Sequence, residues 1–275
     1  MRGTWLVFRA ELGRTCATRS TWIIAVLLAL LAYLRALASV AASASSTSGA
    51  VSSGAAWAPL ADGWRAGLVL GALVLLTVGA RSLAGDCESG VLRMAVTRTA
   101  SRSAAVLGRL ALAPVLIVWI LTMTGISAWL ATQRAGDFGP LIEDGYELLS
   151  TAELRAEFLR ALVATLPALF ATFALGLFVS SLARTATSSV AFAMGVFLAF
   201  DLFKDALGDG RFGFFPSFVP TLADTSPWAE LAGIARGFSD SGYSEALWRQ
   251  SLIVPGPEAL LLALGACWVL SRRAL

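Results

Sequence analysis

Six stretches of largely apolar residues divide this chain, at 22–42, 64–84, 107–130, 158–182, 187–203 and 252–270. About 20 such residues in a helix cross the ~30 Å hydrocarbon core of a bilayer. Inside lipid every backbone N–H and C=O must be satisfied by protein, which leaves only helices and closed barrels. Runs this long, without period-two alternation, are helical. The expected fold class is therefore all-α: a polytopic membrane protein, one transmembrane domain over 1–275, with six transmembrane helices. Only 14% of the residues are charged and the mean hydropathy is +0.74, where soluble domains carry about 25% charge. The fifth run is the shortest. Pro114 and Pro167 fall inside runs three and four, where a missing N–H is expected to kink a helix.

The connecting segments alternate in charge. The segments 1–21, 85–106 and 183–186, the last residues of run two from Arg81, the first residues of run three and the C-terminal residues 271–275 hold twelve of the 21 basic residues against Glu11, Asp86 and Glu88. The remainder holds nine basic and fifteen acidic residues. Lys and Arg mark cytoplasmic segments, so both termini are expected in the cytoplasm, consistent with an even number of spans in a bacterial inner membrane. Run one follows Arg2, Arg9, Arg14 and Arg19 and precedes small residues, in the manner of a secretion signal. It is longer than a signal core, and a retained helix is expected.

The composition excludes several chemistries. The chain has no His, which removes His-based triads and His metal sites. Its one Lys, Lys204, lies in no G-x-x-x-x-G-K-[ST] loop, so ATP hydrolysis of the phosphate-loop kind is not a property of this chain. Cys16, Cys87 and Cys267 have no paired spacing. No catalytic residue, metal site or cofactor is expected, and a net charge of +3 suggests no nucleic-acid partner.

Three segments carry more specific signals. Before run one, Trp5, Phe8, Leu12 and Cys16 recur at helical spacing, with Arg2, Arg9, Glu11 and Arg14 off that stripe. This predicts an amphipathic helix in the inner interface, either a plain anchor or an elbow that also touches a cytoplasmic partner. Between runs two and three, Gly85 and Gly90 can bend the chain. Val91, Met94 and Ala95 then give a short helix an apolar face, with Arg93, Arg98 and Arg102 around it. Such a helix suits a groove on another protein; a basic loop that only sets topology is the alternative. In 204–251, Phe212, Phe214, Phe215 and Phe218 lie in a Pro-broken stretch too short to span, and aromatic residues favour the interface. Ser226-Pro227 then opens a predicted helix carrying Trp228 as far as Phe238.

Two further features are weighed against plain structural readings. The outer loop 133–157 carries Asp137, Glu143, Asp144, Glu147, Glu153 and Glu157, as a solvated face or a site for a cation or an outer protein. Arg35, Asp201 and Lys204 lie near the outer ends of their spans, where snorkelling is open to them, and Asp201–Lys204 has helical pair spacing.

The order of residues around the second loop resembles the permease subunits of ABC-2-type transporters, the type V exporter fold. Their pattern of an acidic residue, Gly-Thr, a Leu-rich stretch, Ser-Arg and Gly-Lys is similar to Glu88, Gly90-Val91, Leu92, Ser101-Arg102 and Gly108-Arg109 here. Val91 stands for Thr and Arg109 for Lys. Arg9-Ala10-Glu11-Leu12 is similar to that family's Arg/Lys-Glu-Leu element. The resemblance runs along the whole chain. It implies a coupling site for a separate cytoplasmic ABC ATPase at Asp86, Glu88, Gly90, Val91, Leu92, Arg93, Met94, Ser101 and Arg102, beside an elbow helix bearing Trp5, Phe8, Arg9, Glu11 and Leu12. It further implies a second permease copy, ATP and Mg on the ATPase only, and short re-entrant helices at the outer mouth, where Phe212, Phe214, Phe215, Phe218 and Trp228 form a gate or partner surface. The long outer loop resembles that of the permease in the copper-maturation transporter for nitrous-oxide reductase, which makes an extracytoplasmic protein a further expected partner. A non-transporting membrane anchor that transmits movement shares these features. An intramembrane enzyme would need acidic residues deep in the spans, and there are none.

Overall fold

A computed structural model of the chain describes residues 2–45, 54–91, 101–134, 136–143, 146–221, 224–237 and 241–273. Ten α-helices dominate it. The first, α1 (Arg2–Ala17), is joined by Thr18 to α2 (Arg19–Ser45), and α3 (Trp57–Glu88) follows. Next come α4 (Arg102–Leu110) and α5 (Leu112–Thr132), a hairpin of β1 (Leu141–Glu143) and β2 (Tyr146–Leu149), then α6 (Thr151–Leu182) and α7 (Ala186–Phe203). Two 3-10 segments, Lys204–Gly213 and Phe215–Phe218, precede α8 (Pro227–Ile234), α9 (Ser241–Ile253) and α10 (Pro255–Arg272). Six segments are long and apolar enough to cross a membrane: Arg19–Ala42, Trp57–Glu88, Arg102–Thr132, Thr151–Leu182, Ala186–Gly213 and Glu245–Arg272. The chain is an all-α polytopic membrane protein, as its apolar runs predict. Both termini lie at one end of the bundle, the terminal end; the hairpin and the 3-10 segments lie at the far end.

The helix bounds differ from the apolar runs in instructive ways. The third span starts five residues earlier than expected and is broken at Ala111 between α4 and α5. Pro114 therefore sits in the first turn of α5, where no intrahelical N–H is needed, rather than kinking a helix interior. Pro167 lies inside α6, which continues through it. Gly85 does not break α3, but Gly90, with φ +73°, ends it. In α6, Ser150 and Glu153 form a reciprocal capping box that satisfies two free donors at the helix start.

Helix α3 is the axis of the molecule, packing on α2, α5, α6, α7 and α8. Its most extensive contact is with α6, made possible by two glycines. A Cβ on Gly79 would lie 2.6 Å from the Phe173 carbonyl oxygen, and one on Gly176 would collide with that of Leu76. Where lipid removes the hydrophobic drive between helices, such close backbone approach and van der Waals packing hold them together. One turn further on, the Ser180 hydroxyl accepts from the backbone N–H groups of both Leu83 (3.0 Å) and Ala84 (2.8 Å). Helices α2, α7 and α10 stay largely exposed, presenting Val26, Leu30, Phe192, Leu202, Leu261 and Leu264 outward, the surface lipid requires.

The hairpin has no counterpart in the sequence reading. Its strands are antiparallel, and Tyr146 pairs with Glu143 across it. The helix predicted from Pro227 ends at Ile234; Phe238 lies outside the described residues. Ser226 holds the N-cap position, yet its side chain makes no capping bond. Its N–H bonds to Asp224 at 2.8 Å instead.

Candidate functional site

At the terminal end, α1 lies along α4. Gly108 permits this approach, since a Cβ there would come within 2.7 Å of the Val7 Cβ and 2.8 Å of the Thr4 carbonyl oxygen. Phe8 and Leu12 of α1 pack on the hydrophobic core, while Trp5 is 61% exposed and Cys16 is exposed too. The predicted apolar stripe is thus divided, two residues inward and two outward. Glu11, placed by its spacing off that stripe, in fact points inward and is buried.

Glu11 is buried because a charge cluster receives it. Arg109, at the end of α4 and 4% exposed, reaches Glu11 at 3.0 Å and bonds Asp86 of α3 through the same nitrogen. Its other terminal nitrogen donates to the Ala105 carbonyl at 3.1 Å. Arg14 completes the group, 2.9 Å from Asp86 and 3.6 Å from Glu11. The field of Glu11 raises the Arg14 pKa above its ordinary value; partial burial opposes the shift and Asp86 adds to it. Two carboxylates thus meet two guanidinium groups, so the cluster is neutral. It bolts the first helix to the ends of spans two and three.

The residues flanking the loop 92–100 serve similar ends. Ser101 caps α4, accepting from the Ala104 N–H at 3.2 Å. Arg102 donates to the carbonyls of Ser271 (2.7 Å) and Arg273 (2.9 Å) at the end of α10. Arg273 in turn donates to the Ser181 carbonyl at the end of α6, at 3.0 Å. Cations suit these helix C-termini, whose free carbonyls carry partial negative charge. Glu88, exposed, accepts from the Ala186 N–H at 2.9 Å and so caps the start of α7. Asp86 is buried, whereas Arg9 and Val91 are exposed and Gly90 turns the chain. Leu92, Arg93 and Met94, with Ala95 and Arg98, lie outside the described residues. Arg14, Arg109 and Arg273 were absent from the expected site; a buried carboxylate on α1 was the signal for such partners, but only once its burial is known.

Beside the cluster opens a cleft of about 610 Å³. Its floor is α3, from Leu70 to Asp86, and its walls come from α1–α2 (Arg14, Thr21, Ile24) and α7 (Ala186, Met194). Arg81 lies on the floor, exposed and without an ion pair among the described residues.

The far end is closed by aromatic rings. Trp64 of α3 and Trp228 of α8 stack with centroids 5.2 Å apart and planes 5° from parallel. Phe158 meets both edge-on, and the Trp228 indole N–H donates to Thr165 at 2.8 Å. Arg236 reaches Asp62 at 2.5 Å, and Arg65 pairs with Asp224, tying the segment around α8 to α3. Of the aromatic residues expected at the interface, Phe212, Phe215, Phe218 and Trp228 are buried in protein and Phe214 is exposed. Non-helical backbone at this depth needs protein shelter, and these rings supply it. Asp201 and Lys204 do not snorkel: they are 1% and 0% exposed, paired at 2.8 Å, with Lys204 also donating to Thr221. Arg35 is exposed. No grouping of metal ligands occurs among the described residues.

Six candidate spans, with a charge cluster binding α1 at one end and packed aromatic rings at the other, make this an all-α polytopic membrane protein. The family model for ABC-2 family transporter proteins matches residues 5–213, and the chain belongs to that family. The match ends inside the aromatic segment, after Phe212, and before the last span. Proteins of this family are in general non-catalytic transmembrane components that work with a cytoplasmic ATPase subunit. No curated protein matches the chain.

Proposed function

We propose that this chain is the permease subunit of an ABC transporter. Its terminal end faces the cytoplasm of a bacterial cell and engages a separate ATPase that carries ATP and Mg, and movement passes into the spans as export or as a conformational change. The charge cluster of Glu11, Arg14, Asp86 and Arg109 carries this reading. It joins the elbow helix to the two span ends from which the loop 92–100 emerges, so a push on that loop is shared among α1, α3 and α4 rather than absorbed by one helix. The exposed flanks of α2 and α7 beside the cleft suit a second permease copy, which would complete one pathway from two subunits.

Affinity purification of the tagged full chain in mild detergent tests the proposal. A stoichiometric ABC ATPase is the expected companion, and a chain that purifies alone under conditions that keep such complexes intact refutes it. Glu88→Arg adds a local test. It reverses charge beside the loop and at the start of α7 while leaving the buried cluster intact, so ATPase yield should fall with the permease still monodisperse. Unchanged yield and unchanged ATPase stimulation would remove Glu88 from the coupling site.

A transmission role towards an extracytoplasmic protein is a second reading, favoured by the hairpin. Tyr146, 77% exposed, and Leu148, 46% exposed, project from one face of β2 outside the spans. Deleting 137–149 should spare the ATPase complex and cost only an outer partner. The copper-maturation subtype is not carried over.

A further inference from the structure

We propose that the outward face of α1 is a docking surface for anionic phospholipid headgroups of the inner leaflet, with Arg9 and Arg19 as the groups that bind phosphate. This rests on the orientation in the reading above, which puts the terminal end at the inner leaflet. The face is set by what α1 turns inward. Thr4 and Val7 meet Gly108, Phe8 and Leu12 pack on the core, and Glu11 is buried in the charge cluster. Trp5 and Leu6, 61% and 55% exposed, remain outside with Arg9, Ala10, Cys16 and Ala17. Trp5 is held in place by its ring contact with Phe8, 5.4 Å between centroids.

Depth decides between lipid and a cytoplasmic protein. Gly108 and Arg109, which receive α1, are among the first residues of the third apolar run. The helix therefore sits at the level where hydrocarbon begins rather than below it. The Trp22 indole N–H donates to the Cys16 carbonyl at 3.2 Å. That contact joins the end of α1 to the outward flank of α2, where Trp22, Ile23 and Val26 are 61%, 61% and 65% exposed. An apolar surface continuous with a lipid-facing span is itself in lipid, and Trp5 and Trp22 suit the headgroup level.

Charge decides which lipid. Glu11 is the only acid in α1 and α2, and Arg14 and Arg109 answer it. Arg9 and Arg19 are exposed, with no ion pair among the described residues. The face thus presents two guanidinium groups and no carboxylate. Arginine stems lie along apolar surface with their heads at the interface, and the planar fork fits a phosphate. A zwitterionic lipid offers that phosphate with an ammonium beside it, and an anionic lipid offers it without one. Each basic residue at an anionic surface favours binding by about fivefold.

The full chain in vesicles of equimolar phosphatidylglycerol and phosphatidylcholine provides the test. A p-benzoylphenylalanine replaces Leu6, one turn from Arg9, or, as a bulk-lipid control, Leu264, which is 57% exposed on α10. After irradiation the lipid adducts are counted by mass spectrometry. Phosphatidylglycerol should exceed phosphatidylcholine at Leu6 by about fivefold, with the excess shrinking at high salt, and should follow bulk composition at Leu264. Arg9→Gln combined with Arg19→Gln should return Leu6 to the bulk ratio, and Arg9→Lys with Arg19→Lys should keep an excess. Neither arginine has an ion pair among the described residues, so these variants take no salt bridge from the fold. Equal ratios at the two positions, an excess that survives the Gln variant, or Leu6 adducts in whole cells that form with a protein in place of lipid would overturn the proposal. No ATPase is present in these vesicles. A permease that never recovers an ATPase would fail the functional reading while the lipid preference of α1 is still measured.

Discussion

Arg109 does more at the terminal end than any other side chain. It is buried, it bridges carboxylates from two helices, and its removal would leave Glu11 and Asp86 facing each other with only the half-exposed Arg14 as counter-charge. Taking one partner from a buried pair costs about 3–5 kcal/mol. Arg14 belongs to the same cluster but its side chain is 55% exposed, and exposed pairs contribute about 0–1 kcal/mol. Thermal unfolding of the purified chain should therefore separate the two. Arg109→Gln is expected to lower the midpoint markedly or to abolish folding, and Arg14→Gln to change it little. Comparable shifts would mean that the inner pair does not hold the elbow. Arg109→Lys should fall between, because one ammonium cannot present the planar fork that reaches Glu11, Asp86 and the Ala105 carbonyl together.

At the scale of elements, the crossing of α3 and α6 sets the spacing of everything around it. Gly176→Val would force the Leu76 turn away and take Gly79, Ser180 and the N–H groups of Leu83 and Ala84 out of register. Gly195→Val on α7 meets no atom within 4 Å and is the matched control. The first variant should lose its monodisperse peak on size-exclusion chromatography while the second keeps it; equal profiles would show that the crossing tolerates a side chain. This crossing also marks what the sequence can and cannot convey. Hydropathy found six spans, because lipid demands apolar side chains wherever a helix meets it. It missed their true ends, since α3 and α6, at 32 residues each, are about 48 Å long and outrun a ~30 Å core. The added turns carry Trp57, Asp62, Asp86 and Leu154, which are buried in protein. The coupling residues are proposed from resemblance rather than from chemistry. Ser101 and Arg102 act as caps, and Gly108 and Arg109 as contact and ion pair; the partners lie on α1, α3 and α10, so no local pattern announces them. Asp62 and Arg236 are 174 residues apart, and their pairing has no trace in either segment.

For the molecule as a whole, orientation is the property from which the functional reading follows, and the structure separates the paired from the free part of its charge. Part of the terminal-end excess of arginine is structural: Arg109 answers two carboxylates, and Arg102 and Arg273 cap helices whose C-termini happen to lie there. Subtracting these leaves Arg9, Arg19, Arg81, Arg184 and Arg272, exposed and without a carboxylate partner among the described residues, within reach of span ends where the cytoplasmic bias operates. At the far end Arg65, Arg160, Arg211 and Arg236 are each held by a carboxylate, and the exposed Arg35, Arg134, Arg155 and Arg249, which have no ion pair among the described residues, share that side of the chain with fifteen acidic residues. The terminal end should therefore face the cytoplasm. A membrane-impermeant maleimide reads this directly, in a background with Cys87 and Cys267 replaced by Ser. Tyr146→Cys on the exposed hairpin should react in intact cells once the outer envelope is made permeable. The native Cys16 on α1, also exposed, should react only after the inner membrane is opened. The reverse order would put the charge cluster and the 92–100 loop outside the cell, beyond the reach of any ATPase, and the coupling site would fall with it.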